Sequence, residues 1–143
     1  MRMRAENAVY GGEMSAHHYF RDFGYCDNGT IPWLMVAALI SRSGKPLSQL
    51  VGERTAMYPV SGEINRGVVS VQSTLRRIES RYARRARAVD YTDGLSLDFG
   101  DWRFNLRGSN TEPLLRLNVE SRGDRRLTDV KTSELLASID AES

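Results

Sequence analysis

The residues best equipped for chemistry are Arg107–Gly108–Ser109–Asn110–Thr111–Glu112–Pro113. They combine a guanidinium, two hydroxyls, a carboxamide and a run of backbone N–H groups in one short loop. Such a loop suits a phosphate: arginine offers a fixed fork of donors, and hydroxyls and amides fill the remaining oxygens. Upstream, Tyr10 is followed by Gly11–Gly12 and the polar turn Glu13–Met14–Ser15–Ala16–His17–His18. A strand ending in Gly-Gly marks a backbone that turns sharply or admits a close approach. Adjacent histidines without further ligands at metal spacing are weak evidence for zinc. No grouping suggests a Ser-His-Asp triad.

Elements must hold these loops in place. Leu95, Leu97 and Phe99 alternate with Ser96 and Asp98, predicting a half-buried strand. Gly100–Asp101 suits a tight hairpin. The return strand sets Trp102, Phe104 and Leu106 inward and Arg103, Asn105 and Arg107 outward, so Arg107 leaves on the polar face at the loop's mouth. After Pro113, Leu115, Leu117 and Val119 alternate with Arg116, Asn118 and Glu120. Val71, Leu75, Ile78 and Tyr82 form one apolar helical stripe within Val71–Arg85. A strand over Val60–Asn65 and a last helix from Asp129 to about Ala141, capped by Thr128, complete this half. Ala88–Val89–Asp90–Tyr91 leads to a turn at Asp93–Gly94. The reading is an α+β layer: three or four antiparallel strands with one face covered by two helices.

The first half reads as a short strand at Ala8–Tyr10 and two helices. Ile31–Ile40 follows a Thr30 cap, with Pro32 in the first turn. It is apolar nearly all round, which predicts burial between layers with Trp33, Met35 and Leu39 as core. The second helix runs over roughly Ser48–Thr55 and closes at Tyr58–Pro59. A boundary near Met57 divides a partial α/β domain, 1–56, from a C-terminal domain, 57–143.

The totals exclude several classes. The 143 residues are 41% hydrophobic and 27% charged, too apolar for a disordered chain. Net charge is only +2, although residues 57–143 carry 14 of 20 Lys+Arg and 13 of 18 Asp+Glu. The arginine-rich stretch Arg76–Arg87 brings no aromatic interleaving or nucleic-acid motif, so it reads as a solvated face. The single Cys26 argues for a reducing compartment. No signal peptide is visible, and Ile31–Ile40 is about half the ~20 residues of a membrane span. A cytoplasmic protein without membrane contact is expected.

Two motifs carry a resemblance: Gly12–Glu13–Met14–Ser15–Ala16–His17, and Asp101 to Pro113 (DWRFNLRGSNTEP). In this order they resemble the bacterial phosphomannomutase/phosphoglucomutase group of the α-D-phosphohexomutases, over nearly the whole chain. The resemblance implies four-domain enzymes that move a phosphoryl group between the 1- and 6-positions of a hexose, through a phosphoserine and Mg²⁺. It implies that Glu13 and Ser15, with His17 nearby, hold sugar hydroxyls in the third domain. Arg107, Ser109, Asn110 and Thr111 would grip the non-transferring phosphate in the fourth, with Glu112 orienting the loop. The partner implied is a mannose or glucose 1- or 6-phosphate.

Four departures bear on this, one being that the first half of the third domain is missing, so that 1–56 would be only its second, sugar-binding half. No Thr-Ala-Ser-His-Asn-Pro-like phosphoserine loop is present, and no Asp-x-Asp-x-Asp-Arg loop for Mg²⁺. The chain is therefore expected to be a C-terminal portion of such an enzyme, to bind without catalysing alone, and to hold no cofactor itself. Ala16 stands where the family usually has Gly; if the position needs φ > 0, alanine is strained there. The alternative is a non-enzymatic interaction or phospho-ligand module. It would self-associate, or dock the missing domains, through an apolar edge near Val9 and Trp33.

Overall fold

A computed structural model describes residues 2–13, 15–109 and 112–141, which form two compact units divided between Leu50 and Val51. The first unit opens with one helical turn, α1 (Arg2–Ala5), and a small antiparallel sheet of β1 (Tyr10–Gly12), β2 (His18–Phe20) and β3 (Cys26–Asp27), in that order. Tyr10 pairs with Phe20, Gly12 with His18 and Tyr19 with Asp27.

Helix α2 spans Thr30–Ser43. Its first turn is satisfied by Asn28, whose Oδ1 accepts the Ile31 N–H at 2.8 Å. Thr30, expected as the cap, already lies inside the helix. Gly44, at φ 66°, ends it with its N–H on the Ile40 carbonyl. Burial was expected for this apolar helix and is not observed: Trp33 is 67% exposed, Met35 60% and Leu39 50%. Strands of two or three residues can cover only one side of a helix that is apolar all round, and among the described residues of this unit no second layer covers the other. Helix α3 (Leu47–Met57) then carries the chain into the second unit.

The second unit is a five-stranded antiparallel sheet with two helices on one face. Its strands are β4 (Ile64–Gly67), β5 (Ala88–Asp90), β6 (Leu95–Asp98), β7 (Trp102–Gly108) and β8 (Leu114–Ser121), in the order β4-β8-β7-β6-β5. Period-two alternation sends Phe104, Leu106, Leu115, Leu117 and Val119 into the core. There they meet Ile78 and Tyr82 of α4 (Val71–Tyr82) and Leu135 and Ile139 of α5 (Arg125–Asp140). This is the α+β architecture expected from the sequence.

Details differ. Ala88–Asp90 is a true edge strand, paired with β6. The strand expected over Val60–Asn65 begins only at Ile64, because Gly62 turns at φ 74° and leaves Val60 a single bridge to Glu120. Asp124, not Thr128, caps α5 by accepting the Leu127 N–H at 2.9 Å. Thr128 sits one turn further in and fully buried, where its hydroxyl donates to Ser121 Oγ at 2.7 Å. The β6–β7 turn closes at Gly100–Asp101, with the Phe99 N–H on the Trp102 carbonyl at 3.0 Å. Among the described residues no helix is long and apolar enough to cross a membrane.

Candidate functional site

Arg107 lies near the end of β7 on the sheet's polar face, directly opposite Arg116 of β8. Like charges facing each other across a ladder are unfavourable. A carboxylate from a distant segment offsets them. Glu63 Oε2 lies 3.2 Å from Arg107 Nη2, and its Oε1 lies 3.6 Å from Arg116 Nη1. Asp93 Oδ2 stands 3.9 Å from Arg107 Nε. Arg107 is about 29% exposed and Glu63 26%, so the cluster is half-sheltered but open to solvent. Arg116 Nε is buried without an acceptor. Two guanidiniums thus face two carboxylates, and Arg116 keeps one buried donor that neither carboxylate receives.

Beyond Gly108 the loop is pinned at its base. The Ser109 N–H donates to the Leu114 carbonyl at 2.9 Å, and the Leu114 N–H to the Glu112 carbonyl at 2.8 Å. The Val68 N–H holds the Pro113 carbonyl at 3.2 Å. Asn110 and Thr111 lie outside the described residues. Behind Arg107, the Asp93–Gly94 turn packs against the strand. Asn105 Nδ2 donates to the Asp93 carbonyl at 2.6 Å and to Ser96 Oγ at 3.0 Å. Two layers of contacts thereby fix the direction in which Arg107 leaves the sheet.

In the first unit, the Glu13–His17 turn is closed by the Glu13 N–H on the His17 carbonyl (3.0 Å) and the Ala16 N–H on the Glu13 carbonyl (3.1 Å). Ala16 adopts φ 64°, the left-handed region in which a Cβ is unfavourable. Glu13 is brought together with Ser15 and Tyr19. Tyr19 Oη donates to Glu13 Oε1 at 2.8 Å and Ser15 Oγ to Oε2 at 3.1 Å. Those two donors, Tyr19 first, hold the Glu13 carboxyl below its ordinary value. His17 is paired with a different carboxylate. Its Nδ1 lies 2.7 Å from Asp27 Oδ2, and that hydrogen bond raises the His17 pKa and lowers that of Asp27. Asp27 Oδ1 also accepts the His18 N–H at 2.9 Å. The turn therefore displays an ionised carboxylate, a hydroxyl and a polarised imidazole, a set able to accept from and donate to hydroxyl groups. Among the described residues no three His, Cys, Asp or Glu side chains converge as metal ligands.

Four residues of these clusters were not singled out from sequence: Glu63, Arg116, Tyr19 and Asp27. Arg116 was recoverable, since the hairpin register that presents Arg107 also sets Arg116 opposite. Nothing local in the sequence connects Glu63 to a strand more than forty residues away.

The five-stranded sheet with its paired helices, preceded by an α/β piece, defines a layered α+β protein with a donor-rich hairpin loop. Comparison with known proteins names the family. Residues 1–58 match the model for the phosphoglucomutase/phosphomannomutase alpha/beta/alpha domain III, and residues 63–137 match that for the C-terminal domain of the same proteins. The chain belongs to the phosphoglucomutase/phosphomannomutase family. It is 59% identical over 135 residues to a phosphomannomutase of Salmonella montevideo and 58% identical to that of Escherichia coli K12. Each alignment covers 94% of this chain and 30% of the relative. A crystal structure of a family protein from Burkholderia thailandensis superposes with a TM-score of 0.66 at 25% identity, over 96% of this chain and 30% of that one. The chain thus spans about 30% of the length of these curated relatives.

Proposed function

We propose that this chain is the substrate-holding C-terminal portion of a phosphomannomutase/phosphoglucomutase, and that its ligand is a hexose phosphate. Arg107, Ser109, Asn110 and Thr111 hold the non-transferring phosphate; Glu13, Ser15 and His17 hold sugar hydroxyls. The observation that carries the reading is the pair of facing guanidiniums, Arg107 and Arg116, sharing the Glu63 carboxylate at the base of the Ser109 loop. A phosphate dianion there replaces Glu63 on Arg107 while Arg116 retains it. In this reading residues 1–56 form the sugar-binding piece and 57–143 the phosphate-binding domain, acting in the cytoplasm. The chain binds without isomerising, because positioning alone does not supply a phosphoryl donor.

Calorimetric titration with glucose 6-phosphate tests this. Charge-assisted hydrogen bonds contribute roughly 1.5–3 kcal/mol each, so Arg107→Ala is expected to weaken binding about 10- to 100-fold. Stability should stay within roughly 0.5 kcal/mol, as for other surface changes. Unchanged affinity, or loss of fold in step with binding, contradicts the proposal. Turnover of glucose 1-phosphate by the pure chain with Mg²⁺ contradicts the non-catalytic part.

A second reading rests on a separate observation. Val9 is 60% exposed and, with Pro32, Met35 and Leu39, lines an open apolar groove in the first unit. An interaction module would bury this face against another protein surface. Concentration-dependent dimerisation in sedimentation, abolished by Met35→Glu, supports that reading; a monomer at all concentrations removes self-association.

A further inference from the structure

At the other end of the sheet from Arg107 lies a cleft of about 560 Å³ between the end of α4, α5 and the β6–β7 turn. Strand β7 separates the two by about 20 Å, at roughly 3.3 Å per residue from Trp102 to Gly108. The volume falls within the range of small-molecule sites.

The floor is aromatic. Phe99 and Trp102 stack face to face, their centroids 4.2 Å apart and their planes within 3°. Tyr82 closes the inner wall, its hydroxyl bonded to Ser138 Oγ at 3.0 Å. That hydroxyl pair is buried, and each member already has its partner, so neither is left to receive a sugar hydroxyl. The rim is cationic. Arg81 and Arg85 approach the Tyr82 ring at 5.8 and 5.9 Å from its centroid. Lys131 stands 5.4 Å from the Trp102 ring, tied to Glu134 at 2.7 Å. Among the described residues neither Arg81 nor Arg85 has a carboxylate in ion-pair range, whereas Lys131 has Glu134. The cleft therefore offers two guanidinium forks free for an anion, a third cation already neutralised, and a flat apolar surface between them.

We infer that this cleft is a second ligand site, for a flat aromatic molecule carrying a phosphate, of the mononucleotide class. The guanidinium forks match phosphate oxygens in bidentate geometry. Once Lys131 turns off the Trp102 ring, the aromatic floor takes a ring face there, a sequence-tolerant interaction available to any nucleobase. A hexose phosphate satisfies the rim but leaves its hydroxyls against aromatic carbon. An open cleft of about 560 Å³ fits a single nucleotide.

The test is titration with ADP, followed by Trp102 fluorescence in a Trp33→Phe protein and by calorimetry on the unaltered chain. Saturable quenching is expected, weakened at least tenfold by Arg81→Met/Arg85→Met and unaffected by Arg107→Ala. Both arginines are exposed, so the double variant keeps its fold; matching far-ultraviolet circular dichroism checks this, and calorimetry with adenosine in place of ADP removes the phosphate without changing the protein. Adenosine should bind at least tenfold more weakly than ADP. Any of four results overturns the inference: no saturation up to about 5 mM ADP, a range that still detects binding of about −4 kcal/mol; equal affinity in the double variant; glucose 6-phosphate displacing ADP from the cleft; or an eight-residue oligo-dT binding more tightly than ADP.

Discussion

Replacing Gly94 by alanine probes how the chain fixes Arg107. Gly94 adopts φ 75°, and a Cβ built there would lie 2.6 Å from the Leu106 carbonyl oxygen, 2.7 Å from Arg107 Cβ and 2.8 Å from Arg107 Cα. These obstacles are mostly backbone of a central strand, paired on both sides, so they cannot rotate away. The left-handed conformation costs alanine roughly 1–2 kcal/mol. Forcing a methyl into a filled space adds about 1–3 kcal/mol. The stiffer unfolded chain returns about 0.4–1 kcal/mol. The net expectation is a loss of about 2–4 kcal/mol. At roughly 4–8 °C per kcal/mol for a unit of this size, the midpoint falls by about 8–32 °C. Urea unfolding read on Trp102, with Trp33 replaced by phenylalanine throughout, measures it. Gly108→Ala is the control. Its Cβ meets Val71 Cγ1 at 2.7 Å, a side-chain methyl that can turn aside, and its φ is not positive. A loss of at most about 1.5 kcal/mol is expected there, within the ordinary range of overpacking. If Gly94→Ala lies within about 1 kcal/mol of the parent, or costs less than Gly108→Ala, the packing argument for Arg107 fails.

Ala16→Gly should stabilise the Glu13–His17 turn by about 0.5–1 kcal/mol, the left-handed strain relieved less the added freedom of the unfolded glycine. Slower amide exchange at Glu13 and Ala16 reports it; unchanged or faster exchange contradicts the strain. The His17–Asp27 pair gives a pH signature. Asp27, with its pKa lowered below the ordinary carboxylate value, contributes stability that is present above that value and lost as pH falls through its folded pKa. His17, raised above the ordinary imidazole value, contributes stability that is full below about 6.5 and lost as pH rises through its folded pKa. Proton NMR titration of the His17 ring should therefore show a raised midpoint that returns toward about 6.5 in Asp27→Asn; an identical midpoint in both proteins rules the pair out.

Period and register explain what could be read from the sequence. The stripe Val71, Leu75, Ile78 and Tyr82 forms α4, and the alternation through Phe104, Leu106, Leu115, Leu117 and Val119 forms the sheet's core, because both obey local geometric rules that burial rewards. Asp124 and Asn28 displaced the expected caps because several polar residues in each approach to the helix could accept the first N–H groups. Only the packing of Thr128 against Ser121 decides which residue stays outside α5. Trp33, Met35 and Leu39 are the reverse case. Their apolarity correctly marks a face that needs covering, but periodicity cannot show whether a cover is present in the same unit. Glu63 was out of reach, since its place between Arg107 and Arg116 follows from the β4–β8 pairing across the chain. Ala16 lay between these extremes. Its strain could be posed as a condition from residue type and resolved only by the backbone angle.

The central claim is that the Arg107–Pro113 loop receives the phosphate of a hexose phosphate. Nitrogen-15 correlation spectra recorded during titration with glucose 6-phosphate test it residue by residue. Saturable shifts centred on the amides of Arg107, Gly108 and Ser109, with the Arg107 Nε–H moving as the guanidinium's Nη2 exchanges Glu63 for phosphate, are expected; they should vanish in Arg107→Ala. Shifts confined to other parts of the chain, or an Arg107 signal that stays fixed while ligand binds, would contradict the account.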